Sequence, residues 1–313
     1  MADSSSERVT NRKRHSRPVE FVRRLVVEKP LGTVGAVITL LLLCTAIFAD
    51  FLAPYGMNEL LGVENYMAPP STRFWLGTDN LGRDMLSRII FGARISLFVG
   101  LAAPTVATFI SIFIGMTSGY LGGKFDLTVQ RFVDAFMCLP SLPIVMVIVA
   151  LVGPGFLTLI IALGVVRGIA QSRGMRGIVL SFKNNMYVEA AVATGCSTRR
   201  VLTQHLLPNV MPFVITAYTM AVPGAIISEA SLSFLGYGIP PPEPSWGGML
   251  SGRGRDYMFL APWMAVWPGL ALSIVVYGIS MFGDALRDLL DPRLRGGVGR
   301  YGVKAKKEAT VKK

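Results

Sequence analysis

Charge is scarce in this chain of 313 residues: Asp, Glu, Lys and Arg make up 16% of it and hydrophobic residues 52%. A mean hydropathy of +0.51 places it outside the usual soluble class. Cysteine is nearly absent as well. Cys44 and Cys138 fall in apolar runs and Cys196 in a polar loop, which gives no disulfide framework. Two histidines, His15 and His205, cannot build a zinc cluster, so neither a metal nor a cofactor is expected. The phosphate loop G-x-x-x-x-G-K-[ST] is missing: Gly123-Lys124 is followed by Phe125, and Ser118 stands where the first glycine belongs. Without that loop the chain itself is not expected to hydrolyse ATP. The motifs H-E-x-x-H and G-x-S-x-G are absent too, which argues against an intramembrane metalloprotease or a serine hydrolase. No enzyme is expected.

What is abundant is long uncharged sequence. A helix needs about 20 mostly apolar residues to cross about 30 Å of hydrocarbon. Residues 31–49, 95–123, 210–228 and 257–282 each supply one such run. A further uncharged run, 135–166, is too long for one span, and Gly153-Pro154-Gly155 lies inside it. That turn divides it into a hairpin of two helices with inner ends at Arg131 and beyond Arg167. The expected fold is all-α, a polytopic transmembrane bundle of six spans. The first run exceeds the apolar core of a secretory signal and is followed by no small-x-small cleavage site, so it is expected to stay attached.

An even number of spans puts both termini on one side. That side carries 25 of the 31 Lys and Arg residues, and the positive-inside rule assigns it to the cytoplasm. The asymmetry accounts for most of the net charge of +12, so no nucleic-acid partner is expected, although the basic C-terminal tail suits contact with anionic lipid. The chain divides into a disordered basic tail (1–30), a first membrane helix (31–52), an extracytoplasmic loop (53–92), a membrane core (93–290) with a cytoplasmic loop at 173–207, and a second basic tail (291–313). Prolines 104, 140, 143, 212, 223 and 268 lie within or near the spans. Broken helices of this kind imply a bundle whose neighbours satisfy the freed carbonyls. Gly100, Gly115, Gly119 and Gly224 allow helices to approach closely.

The cytoplasmic loop is the most informative stretch. Glu189-Ala190-Ala191 opens a short helix with a small-residue face, Gly195 suits a left-handed C-cap, and Ser197 is placed as an N-cap. A second helix is expected to stop near Pro208. The product is a knob with Glu189 and Arg199 available for polar pairing, shaped to dock into a groove on another protein. The spacing of Ala191, Gly195 and Val201 also imitates a helix-turn-helix, but its place between membrane spans argues against DNA binding.

Glu189, Ala190, Ala191, Gly195, Leu207 and Pro208 together resemble the loop signature of bacterial ABC importer permeases. His205 replaces the usual Ile, and His before x-Leu-Pro-Asn is similar to the peptide-importer branch. Three further stretches resemble the dipeptide, oligopeptide and nickel permeases. They are residues 76–97 with Asp79, Arg83 and Asp84, where an Arg83-carboxylate lock is expected; residues 229–247 from Glu229 to Gly247; and residues 283–293, where Asp284 and Arg287 share a helix face. The resemblance runs over about residues 31–295 and belongs to the subunit type with a long outward loop after span one. It implies a homologous second permease, one or two ATPase subunits docked on the 173–207 loop, and an extracytoplasmic substrate-binding protein, with transport by alternating access.

Glu229 is expected at the outer end of span five or facing an aqueous pathway, the second being favoured; an interfacial Glu paired with a basic residue is the plain alternative. An ion-coupled secondary transporter would place carboxylates at mid-membrane breaks. Only Asp134, Arg167 and Glu229 qualify as charged candidates, which disfavours that class. Peptides are the expected cargo, with nickel complexes and other small solutes as the alternative within the family.

Overall fold

The computed structural model describes residues 17–251 and 253–290. Helices dominate, and among the described residues there is no strand, only an isolated bridge between Thr78 and Asp84. Five stretches are long and apolar enough to cross a bilayer: α2 (Pro30–Ile47), α4 (Met85–Leu121), α7 (Phe156–Phe182), Thr198–Phe234 and α13 (Trp263–Leu290).

The expected third span takes a different form. Gly122 and Gly123, both with positive φ, end α4 and start α5 (Gly123–Met137), and α6 (Ser141–Val152) then leaves α5 at 87°. Twelve residues in α6 reach only about 18 Å. The hairpin therefore has one short, bent limb and one full one, α7. Pro140 at the N-cap of α6 makes the bend, because proline disfavours helical backbone in the residue before it and has no N–H to donate. The Gly153 turn separates α6 from α7 as expected, and with the bent pair counted as one crossing the total is six.

A second difference concerns Pro208. The helix does not stop there. Residues Thr198–Arg200 (α9) lead into a π-wound segment, Val201–Leu206, and on into α10 (Leu207–Phe234), with Pro208 in its first turn. A wider turn of i→i+5 type leaves room for a proline ring that would clash with the preceding turn of a regular α-helix. A third concerns the N-terminal tail: from Arg17 to Glu28 it is helical (α1), with Leu25 packed against Ala285 and Leu289 of α13. Residues 1–16 and the 291–313 tail lie outside the described residues, as do Asp291, Pro292 and Arg293 of the C-terminal motif.

Packing explains the order. Helices α4 and α7 lie together along their length because small residues remove the side chains between them: a Cβ on Gly115 would stand 2.6 Å from the Ser172 carbonyl, and one on Gly164 2.6 Å from Val106. Gly100 receives Ile226 of α10 in the same way. Helix α2 rests on α13, where Gly35 meets the backbone of Gly278. Lys29 pairs with Asp288, so the starts of α2 and the end of α13 share one end of the bundle. Arg287 reaches Met220 Sδ at 4.0 Å and makes no ion pair with Asp284.

At the opposite end the 53–84 segment folds into a small cap. Asp79 is its hub. Its Oδ2 accepts from Arg83 Nε at 2.7 Å, its Oδ1 accepts from the Leu81 and Arg83 amides, and Arg88 Nε lies 3.6 Å away. The expected Arg83 lock is present. Asp84 caps α4 through Ser87 N at 2.8 Å, and Ser87 Oγ in turn accepts from Tyr55 N at 3.1 Å. Asp50, in the short helix α3 (Ala49–Leu52), accepts from Arg94 at 2.8 Å, and this hydrogen bond holds its carboxyl below the usual carboxylate range.

Candidate functional site

The loop expected over 173–207 is shorter, because α7 continues to Phe182 and helix resumes at Thr198; the segment between them emerges at the bundle end that carries Lys29 and Asp288. Helix α8 (Met186–Ala193) begins after Asn185 and ends at Thr194. Gly195 adopts φ +80°. Its N–H donates to Val192 O at 2.9 Å, and Cys196 N donates to Ala191 O at 3.0 Å, so the last carbonyls of α8 are satisfied by a left-handed cap. Ser197 occupies the N-cap position of the next helix with extended backbone, but its side chain makes no capping bond.

One face of this knob is fastened to the bundle. Val188 and Ala191 are buried with Val201, Leu206 and Val210 against Met116 of α4 and Met175 and Val179 of α7. This packing ties α8 to three long helices, α4, α7 and α10. Of the residues singled out from the sequence, Glu189, Ala190, Gly195, Arg199 and Pro208 are exposed, Leu207 is half-buried and Ala191 is buried. Ala191 thus anchors the knob instead of presenting it. Glu189 and Arg199 form no ion pair among the described residues, whereas Arg200 is engaged by Gln204 Oε1 at 3.0 Å. Beside α8 an open groove of about 520 Å3 is lined by Tyr120, Leu121, Lys183, Glu189 and Val192. Val192 and Met186 are exposed apolar residues on the knob. Exposed methyl groups flanking an unpaired carboxylate form a surface that another protein can cover.

Glu229 lies elsewhere, in the last turns of α10 at the opposite end, and is wholly buried. Its Oε1 accepts from Ser233 Oγ at 2.7 Å, its Oε2 has no hydrogen-bond partner, and Ser233 Oγ in turn accepts from Ser245 Oγ at 3.3 Å. Ser233 and Ser245 line a cavity of about 580 Å3, together with Asp79, Arg83, Arg88 and Glu243. Glu229 itself sits behind that lining. Sequence reasoning missed this cavity because its walls come from segments more than 150 residues apart, brought together by Trp246, whose Nε1 donates to Ile89 O at 3.1 Å. The other charged candidates are placed apart: Asp134 pairs with Arg173 at 2.8 Å, and Arg167 hydrogen-bonds Gly224 O and Ser228 Oγ. Among the described residues no cluster of His, Cys, Asp and Glu has the makings of a metal site.

Comparison with known proteins places this arrangement. The family described as "Binding-protein-dependent transport system inner membrane component" matches residues 111–296, the part of the chain that runs from the last turns of α4 through the knob to α13. The oligopeptide transport system permease protein OppC of Bacillus subtilis is 39% identical over 267 residues, 85% of this chain and 86% of that protein. The dipeptide permease DppC of the same organism is 39% identical over 273 residues, covering 87% and 85%. The glutathione permease GsiD of Escherichia coli is 37% identical over 277 residues, covering 88% and 91%. A solved inward-facing MetNI methionine ABC transporter matches with 20% identity and a TM-score of 0.47 over 66% of this chain and 98% of that one. By the span of the family match and the identity to these permeases, the chain belongs to the family of binding-protein-dependent transport system inner membrane components.

Proposed function

We propose that this chain is the permease subunit of an ATP-binding-cassette importer for di- or oligopeptides, and that α8 and the turn after it are where an ATPase subunit docks. The observation that carries the reading is the two-faced knob: Val188 and Ala191 fix it to α4, α7 and α10, while Glu189 and Arg199 are exposed and form no ion pair among the described residues. ATP-driven closure of the partner pulls on α8, and the packed contacts turn that pull into tilting of the long helices. The bundle then opens to one side at a time. ATP hydrolysis resides in the partner subunits, and this chain contributes no catalytic residue.

The distribution of Lys and Arg supports cytoplasmic termini and places the knob in the cytoplasm. The 53–84 cap and the 580 Å3 cavity then face outward, where an extracytoplasmic binding protein delivers cargo, and the buried Glu229 stands behind the Ser233 and Ser245 wall of that cavity. A homologous second permease completes the channel. Peptide cargo is supported by the similarity to oligopeptide, dipeptide and glutathione permeases.

The test is a pull-down of the tagged chain from mild detergent. Wild type is expected to bring down an ATPase subunit, and Glu189→Arg to lose it while keeping a monodisperse elution profile. Absence of any ATPase with wild type under all conditions would sink the docking assignment.

A further inference from the structure

Helix α7 carries three arginines, and the structure treats them differently. Arg173 and Arg176 face carboxylates of α5: Arg173 Nη1 lies 2.8 Å from Asp134 Oδ1, and Arg176 Nε 2.6 Å from Asp126 Oδ1. Arg167 has no carboxylate among the described residues. Its Nη2 donates to Gly224 O at 3.0 Å and to Ser228 Oγ at 2.8 Å, both on α10, and Nε and Nη1 donate to no acceptor among the described residues. Three of its five N–H groups are therefore unspent.

Position makes this unusual. Arg167 lies eleven residues from Phe156, the start of α7, or about 16 Å along the helix. Gly224 lies ten residues before Phe234, the end of α10, about 15 Å along. Both helices thus put the guanidinium near the middle of a hydrocarbon layer roughly 30 Å thick. The side chain lies close on α10 at Gly224, where a Cβ would stand 2.8 Å from Arg167 Nη1. A cation held at this depth by two neutral acceptors is expensive unless it meets an anion or water. Glu229 does not serve, since one of its oxygens is engaged by Ser233 and the other meets no donor.

We propose that Arg167 is the residue that receives the C-terminal carboxylate of a peptide during its passage through the bundle. The inference rests on the peptide-importer reading. A peptide of any sequence brings one terminal carboxylate, and a single half-buried guanidinium suits that shared group better than it suits any particular side chain. Two hydrogen bonds to α10 hold the cation in place, and the remaining donors are free for an oxygen anion, the pairing in which Arg hydrogen bonds are strongest.

The experiment uses the assembled complex, purified with its partner permease and ATPase subunits, and a diazirine-bearing dipeptide offered as the free acid or as its C-terminal amide without the binding protein. Photolabelling of the wild-type complex is expected to favour the acid by about tenfold or more. Arg167→Gln is expected to bring the acid down to the level of the amide, and Arg167→Lys to keep most of the preference. Equal labelling of acid and amide in wild type overturns the role of Arg167 and leaves the peptide reading standing, whereas failure of both peptides to label wild type overturns that reading as well. A preference for the acid that survives in Arg167→Gln also overturns the proposal. So does loss of the partner permease from the Arg167→Gln complex with retention in Arg167→Lys, because the counter-charge then belongs to that subunit.

Discussion

Arg176 of α7 grips Asp126 of α5 through both carboxylate oxygens, Nε at 2.6 Å from Oδ1 and Nη2 on Oδ2. This clamp and the Arg173–Asp134 pair hold α5 against α7 just before the bend into α6. Asp126 is buried while the Arg176 side chain is about a third exposed, so solvent discounts the pair. Arg176→Gln is expected to destabilise the permease by about 1–3 kcal/mol, read as a drop of several degrees in the Tm of the detergent-purified protein. The charge swap Asp126→Arg with Arg176→Asp is expected to recover part of it. An unchanged Tm in the single variant would show that the clamp contributes nothing.

The cap at the other end has a similar dependence on one carboxylate. Arg88 is 7% exposed, and Asp79 Oδ2, 3.6 Å away, is its countercharge. Desolvation by burial, opposed only in part by Asp79, leaves the guanidinium dependent on that partner. Asp79→Ala removes the partner of both Arg83 and Arg88, and leaving a charge buried and unpaired costs about 3–5 kcal/mol. Limited proteolysis within residues 53–84 is the readout: wild type should resist and Asp79→Ala should be cut. Equal resistance would show that the cap stands without its hub.

Gly247 lies against α10 so closely that a Cβ would stand 2.4 Å from Ala230 Cα. The obstacle is backbone, which cannot swing aside. Gly247→Ala is expected to cost about 1–3 kcal/mol through overpacking and to lower the yield of monodisperse protein in fluorescence-detected gel filtration. Gly177→Ala, at a position where a Cβ meets nothing within 4 Å, is the control and should elute as wild type does.

Gly195 holds φ +80° with its Cβ direction open, so a substitution there is opposed by backbone strain alone. Gly195→Ala is expected to cost about 1 kcal/mol and to loosen the end of α8. Hydrogen exchange of the Gly195 and Cys196 amides, which donate to Val192 and Ala191, should quicken about fivefold. No change would show that the turn tolerates a side chain.

Particular residues show where sequence reading stopped. Pro208 carries the usual signal for a helix end, yet the chain passes through it because the preceding π-wound segment makes room for the ring, a departure that no local signal announces. The uncharged run 135–166 divides at Gly153, but the placing of the amphipathic α5 against α7 rests on ion pairs to residues 39 and 50 positions away in sequence. Helix α1 looks like tail in sequence because its polar composition hides an apolar edge, and that edge has meaning only once Leu289 of α13 lies beside it.

The membrane class, the approximate spans and the turn between Glu189 and Ser197 are legible in the residues alone. These follow from composition, run length and turn preference, which are local properties. It took the folded bundle to show that Ala191 anchors the knob, that Glu229 is sealed behind Ser233 and Ser245, and that Arg167 lies against Gly224 with no carboxylate beside it among the described residues. Each of these depends on which faces of distant helices meet, and hydrophobic runs with little amphipathic pattern carry almost no information about their facing.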